Sequence, residues 1–142
     1  MKNLIQFMFI AFGFQNSWAA SCTDFTGAYK CLDGGKIELK QTNCNLLLIK
    51  EFNSQGQSIE ITWNTDGVAH YEEPGANFRV TWTAYHSLDG IHHFVGAYDS
   101  YKKETVTYRR HLNLDANRNL AIYYLKARNG VTEREQTSQC VP

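Results

Sequence analysis

Several things are missing from this 142-residue chain, and each absence removes a class of function. There is no Cys-x-x-Cys, so a zinc knuckle or thioredoxin-type redox centre has no support. There is no Gly-x-Ser-x-Gly and no His-Glu-x-x-His, the local patterns of a hydrolase nucleophile or a metalloprotease. No apolar run approaches the roughly 20 residues that cross a bilayer as a helix. Neither charge sign dominates: 14 basic residues face 14 acidic ones, interspersed, which argues against nucleic acid or an anionic membrane as partner. Proline occurs only twice, and no segment after residue 20 keeps a helical period.

The amino-terminal stretch MKNLIQFMFIAFGFQNSWAA has one Lys near its start, an apolar run from Leu4 to Phe14, then polar and small residues. That is the layout of a secretory signal peptide. Ser17 and Ala19 satisfy the small-x-small rule, so residues 1–19 are expected to be removed, leaving 20–142 as one domain in a secreted or periplasmic location. Ala19-Ala20-Ser21-Cys22 is close to a bacterial lipobox but opens with Ala instead of Leu. Lipidation of Cys22 would also strand one of the four cysteines, so lipid anchoring is the less favoured alternative.

From Phe25 onward, apolar and polar residues alternate with period two in short runs. Phe25, Gly27 and Tyr29 share one face, as do Ile37 and Leu39; Ile59, Ile61 and Trp63; Phe78, Val80 and Trp82; and Val106 and Tyr108. Turn signals separate the runs at Asp33-Gly34-Gly35, Asn53 to Gly56, Asp66-Gly67, Pro74-Gly75, Asp89-Gly90, Asp115 to Asn117 and Asn129-Gly130. The pattern predicts an all-β, antiparallel up-and-down β-barrel of eight to ten strands. A meander hides its edge strands most simply by pairing first with last. Four cysteines imply two stabilising disulfides. Closure suggests Cys22–Cys140 across the chain ends and Cys31–Cys44 from the first hairpin to the third strand.

The run Phe25-x-Gly27-x-Tyr29 at the head of an all-β meander resembles the opening strand of the calycin superfamily, where lipocalins and avidins carry Gly-x-Trp. The resemblance implies a bend at Gly27 and an aromatic plug of the barrel's closed end at Tyr29. This chain departs from the pattern with Tyr in place of Trp. It further implies an interior that takes a small molecule.

The five histidines offer little chemistry by spacing alone. His86 and His92 could approach across the Asp89-Gly90 turn, but no ligand pattern supports a metal, and none is expected. Glu72, Glu73, Asp66, Asp89 and Asp115 sit in turn signals and read as solvated carboxylates, so no catalytic residue and no cofactor is assigned. The aromatics Trp63, Trp82, Phe94, Tyr98, Tyr108, Tyr123 and Tyr124 either line a lumen or fill it. Since neighbours on a strand face opposite ways, one of Tyr123 and Tyr124 must point outward.

The expected function is therefore a non-enzymatic, exported, lipocalin-like barrel that binds a small hydrophobic molecule, with Tyr29, Trp63 and Trp82 as inward-facing ligand contacts. The alternative is a filled barrel acting as a protein-binding or inhibitor module of the cell envelope. A hollow interior favours the first, and a packed interior with an exposed aromatic patch favours the second.

Overall fold

Ten strands run along the chain: β1 (Gly27–Cys31), β2 (Lys36–Thr42), β3 (Leu46–Phe52), β4 (Ser58–Asn64), β5 (His70–Gly75), β6 (Phe78–Ser87), β7 (Gly90–Asp99), β8 (Glu104–Leu114), β9 (Leu120–Arg128) and β10 (Val131–Val141). They come from a computed structural model that describes residues 22–142, so the expected leader and its cleavage site lie outside the described residues. There is no helix among the described residues. The alternation works as read: in β2, Ile37 and Leu39 are buried while Lys36 and Lys40 face solvent. Tight turns follow from residues that tolerate a left-handed backbone, such as Asn129-Gly130 between β9 and β10.

All pairings are antiparallel, in the order β4-β3-β2-β1-β10-β9-β8-β7-β6-β5. The first and last strands do pair, through Lys30↔Val141 and Cys31↔Cys140. The sheet nevertheless does not close into a barrel, which corrects the expectation of full closure: β4 and β5, consecutive in the chain, are its two edges. The segment between them accounts for the gap. Instead of turning back on β4, it holds to the β2–β3 turn through Thr65, whose amide donates to the Asn45 carbonyl at 2.8 Å. It then crosses to β6, where Asp66 bridges Tyr85 and the Gly67 amide donates to the Ala84 carbonyl at 2.9 Å. The link thus ties the two edges together at one point, and β5 pairs only with β6. That ladder is bulged between Glu72 and Gly75. Glu72, Glu73 and Pro74 blunt the resulting edge against further pairing. Where the edges part, the alternation stops meaning burial: Ile59 is 58% exposed and Phe78 41%.

The disulfides also differ from expectation. Cys31 pairs with Cys140, and Cys22 with Cys44. Register decides this, because β1 and β10 set Cys31 directly opposite Cys140. Cys22 lies on the segment before β1, which runs back along the end of β2. There the Phe25 amide donates to Gln41 Oε1, and the Gln41 amide to Thr26 Oγ1, each at 3.1 Å. This leads Cys22 to Cys44 in the β2–β3 turn.

One cluster forms the core, including Phe25, Tyr29, Leu47, Trp63, Ala84, Ile91, Leu112 and Leu120. It reaches the link, where Thr65 is buried and donates through Oγ1 to the Cys44 carbonyl at 2.7 Å.

Candidate functional site

Two neighbouring cavities lie in the interior beside the core. The mouth, about 350 Å³, is walled by Lys36 and Ile37 of β2, Glu51 of β3, Arg110 of β8, Ile122 and Tyr124 of β9, and Arg134, Gln136 and Ser138 of β10. A smaller chamber of about 260 Å³ is walled by Ile61, Trp63, His93, Val95, Tyr108 and Tyr124. Arg110 and Tyr124 belong to both walls.

Arg110 is the hinge of this arrangement. On β8 it shares the inward parity of Tyr108 and Leu112, and on β3 Glu51 shares that of Leu47 and Ile49. The two meet across the interior, with Arg110 Nη1 donating to Glu51 Oε1 at 2.7 Å. The guanidinium also lies 5.9 Å from the ring centroids of Trp63 and Tyr124, within reach of a cation–π attraction. Trp63 stacks in turn on His93, with centroids 4.3 Å apart. Burial, and then the nearby Arg110 charge, push the His93 imidazole down to about 4, so it is neutral at physiological pH. The buried Trp63 indole N–H has no protein acceptor. An unpaired buried donor of this kind costs roughly 1–3 kcal/mol.

Of the three expected ligand contacts, Tyr29 and Trp63 belong to the core cluster and Trp82 does not. Tyr29 is 2% exposed and belongs to the core, its hydroxyl donating to the Phe25 carbonyl at 3.2 Å. Its ring occupies the space a Cβ on Gly27 would need, 2.9 to 3.1 Å away. Trp63 lies in the chamber wall. Trp82 stacks on His70 at 3.9 Å, beside the β5 edge, and lines neither cavity. The fold does not bring the three together. Glu51 and Arg110 were legible only as charges on the inward parity of apolar strands.

His86 and His92 do not approach each other, because the β6–β7 register opposes His86 to Ile91 and Tyr85 to His92. His86 faces inward near Phe25, and burial lowers its pKa. His92 is on the outer wall, paired in register with His111 of β8. The two rings stack with centroids 4.2 Å apart and 7° between planes. Asp89, in the β6–β7 turn, joins them, with Oδ1 3.0 Å from His92 Nε2 and Oδ2 3.6 Å from His111 Nε2. The Ser87 hydroxyl, followed by His92, holds the Asp89 carboxyl far below the usual carboxylate range. Tyr123 faces outward with its hydroxyl donating to Glu135, while Tyr124 faces the cavities. Of the other turn carboxylates, Asp66 and Asp115 cap their own turns by accepting backbone amides at 2.8 to 2.9 Å.

The chain matches no protein-family model and no curated protein sequence. An antiparallel all-β fold alone identifies no calycin family, so the likeness of Phe25-x-Gly27-x-Tyr29 stands on those residues only.

Proposed function

We propose that this protein is an exported binding protein, not an enzyme, that holds a small molecule with an apolar ring-like body and a hydrogen-bond-accepting head inside its half-open sheet. One observation carries the reading: Arg110 stands in the wall of both an apolar chamber and a polar mouth, where its guanidinium can meet an accepting head group. Small-molecule sites typically pair apolar walls with a few fixed polar groups in roughly 300–1,000 Å³, so cavities of 350 and 260 Å³ suit a small ligand. Two disulfides suit an oxidising compartment, and with its sulfur bonded to Cys44, Cys22 has no thiol for a lipid thioether.

The test uses two dyes of similar body, 1-anilinonaphthalene-8-sulfonate with an anionic head and N-phenyl-1-naphthylamine without one. The first should bind saturably, with fluorescence transfer from Trp63, and the second at least tenfold more weakly. Arg110→Met should reduce that preference. Equal affinity for both dyes would remove the head-group argument. No saturable binding by either would move the reading to a protein-contact module using the outer-wall stack of Tyr85, His92 and Phe94.

A further inference from the structure

We propose that Asp89, His92 and His111 form a site for a divalent transition-metal ion of zinc type on the outer wall of the sheet, separate from the interior cavities. The donor atoms of the three residues all lie within 4.8 Å of one another. Zinc bonds of about 2.0–2.2 Å at tetrahedral angles put neighbouring ligand atoms roughly 3.3 Å apart. The carboxylate lies at that scale from both rings, with Oδ1 3.0 Å from His92 Nε2 and Oδ2 3.6 Å from His111 Nε2, so a small turn of the carboxylate serves both edges. Two imidazoles and a carboxylate, with no carbonyl or carboxylate cage, favour zinc, copper or nickel over calcium or magnesium.

The backbone is built to hold this triangle. His92 and His111 are direct register partners on β7 and β8, so the sheet itself fixes their spacing. Asp89 is carried over them by a turn that only glycine permits at the next position. Gly90 has φ +139°, and a Cβ there would sit 1.9 Å from the Leu112 carbonyl oxygen. The Asp89 carbonyl is pinned from β8 by Asn113 Nδ2, which donates to it; His111 Nε2, 3.0 Å from the same carbonyl, turns its lone pair from it to take up an ion. Ser87 Oγ donates to Asp89 Oδ1, and Tyr85 stacks on His92 at 5.2 Å. Such outer partners are what orient ligands in metal sites. The parallel rings need to tilt toward each other for both lone pairs to converge, a rotation about a broad, soft torsion. The carboxylate of Asp89 is 62% exposed, which leaves a fourth coordination position accessible to solvent.

The test is a titration of the untagged mature chain with Zn²⁺ alone by calorimetry, and with Co²⁺ read by visible absorption. One equivalent should bind, with the intense d–d absorption of a four-coordinate ion. In the imidazole NMR spectrum, Zn²⁺ should shift the resonances of His92 and His111 and leave His70, His86 and His93 in place. His92→Gln and His111→Gln should each weaken binding at least tenfold while leaving the unfolding temperature in chelator within a few degrees; His86→Gln should not change affinity. Absence of a saturable equivalent in the wild type would overturn the site. So would shifts at other histidines, or binding that survives both substitutions.

Discussion

The two disulfides close loops of very different size, and that difference fixes the order in which their loss should destabilise the protein. Cys31–Cys140 spans 109 residues of sequence and Cys22–Cys44 spans 22. Loop-entropy arithmetic gives about 4.8 kcal/mol for the longer bridge and about 3.4 for the shorter, a gap of about 1.4 kcal/mol before any packing is counted. Packing widens it. Cys140 is fully buried in the core, and Cys22 only partly. The β1–β10 ladder that the longer bridge reinforces has two register pairs, against nine between β10 and β9, yet among the ten strands it is the one ladder that joins the four-stranded and six-stranded parts of the sheet. Paired Cys→Ala variants at 31/140 and at 22/44, compared by urea unfolding with a common slope, give the difference directly. The 31/140 variant should be the less stable by at least about 1.4 kcal/mol, a midpoint several degrees lower in a thermal scan. A 22/44 variant that is equally or more destabilised would refute the view of β1–β10 as the junction of the sheet. Non-reducing peptide mapping that returns Cys22 linked to Cys140 would refute the register itself.

Other consequences are equally direct. Trp63→Ala should cost about 3–5 kcal/mol through the cavity it leaves in the core, whether or not a ligand is present. Gly27→Ala forces a methyl to within 2.9 Å of the Tyr29 hydroxyl and should cost about 1–3 kcal/mol in urea unfolding, with the Tyr29 ring displaced. Tyr29→Phe, losing one 3.2 Å hydrogen bond, should cost only about 0.5–1.5 kcal/mol. Because the folded state holds His93 down to about 4 while the unfolded chain titrates near 6.5, the unfolded chain binds the extra proton between those values. Stability should therefore fall as pH drops from 6.5 to 4, and unfolding curves of His93→Gln should show a shallower fall across that window. In hydrogen exchange, the β4 and β5 amides facing the gap should exchange well before those of β7 and β8, which are paired on both sides.

The period-two runs were enough to place strands such as β1, β2, β4, β6 and β8, because one face of each run is apolar and short turns follow it. Pairing of first with last strand was legible too, since an unpaired edge at either terminus would be exposed. The gap was not, because Asp66-Gly67 reads as an ordinary hairpin turn. Only the third dimension shows Thr65 held by the β2–β3 turn and Gly67 by β6. Pairing of the cysteines failed for a related reason: spacing shows that the chain ends meet, but a shift in register decides whether Cys22 or Cys31 stands opposite Cys140. β10 shows the other limit. Its inward residues Arg134, Gln136 and Ser138 are polar, so alternation carries no signal there, and the polar mouth they line is invisible to a search for apolar faces.

The position of the gap bears on what the interior can take. A ten-stranded meander closed on every side would offer its interior only through its ends, and here the core cluster containing Phe25, Leu47 and Leu120 fills much of the space. Leaving β4 and β5 unpaired leaves the wall beside Ile61 and Trp63 without a backbone ladder on one side. Ile61 and Trp63 of β4, the edge strand, form one side of the inner chamber, and His93 and Val95 of β7 the other. No backbone ladder joins those sides, so the chamber is held across the gap by side chains: the Trp63–His93 stack, and the Arg110–Glu51 pair reaching from β8 to β3. Each is a contact that a bound molecule can compete with or reinforce. Widening the chamber therefore requires parting side chains instead of breaking a row of backbone hydrogen bonds.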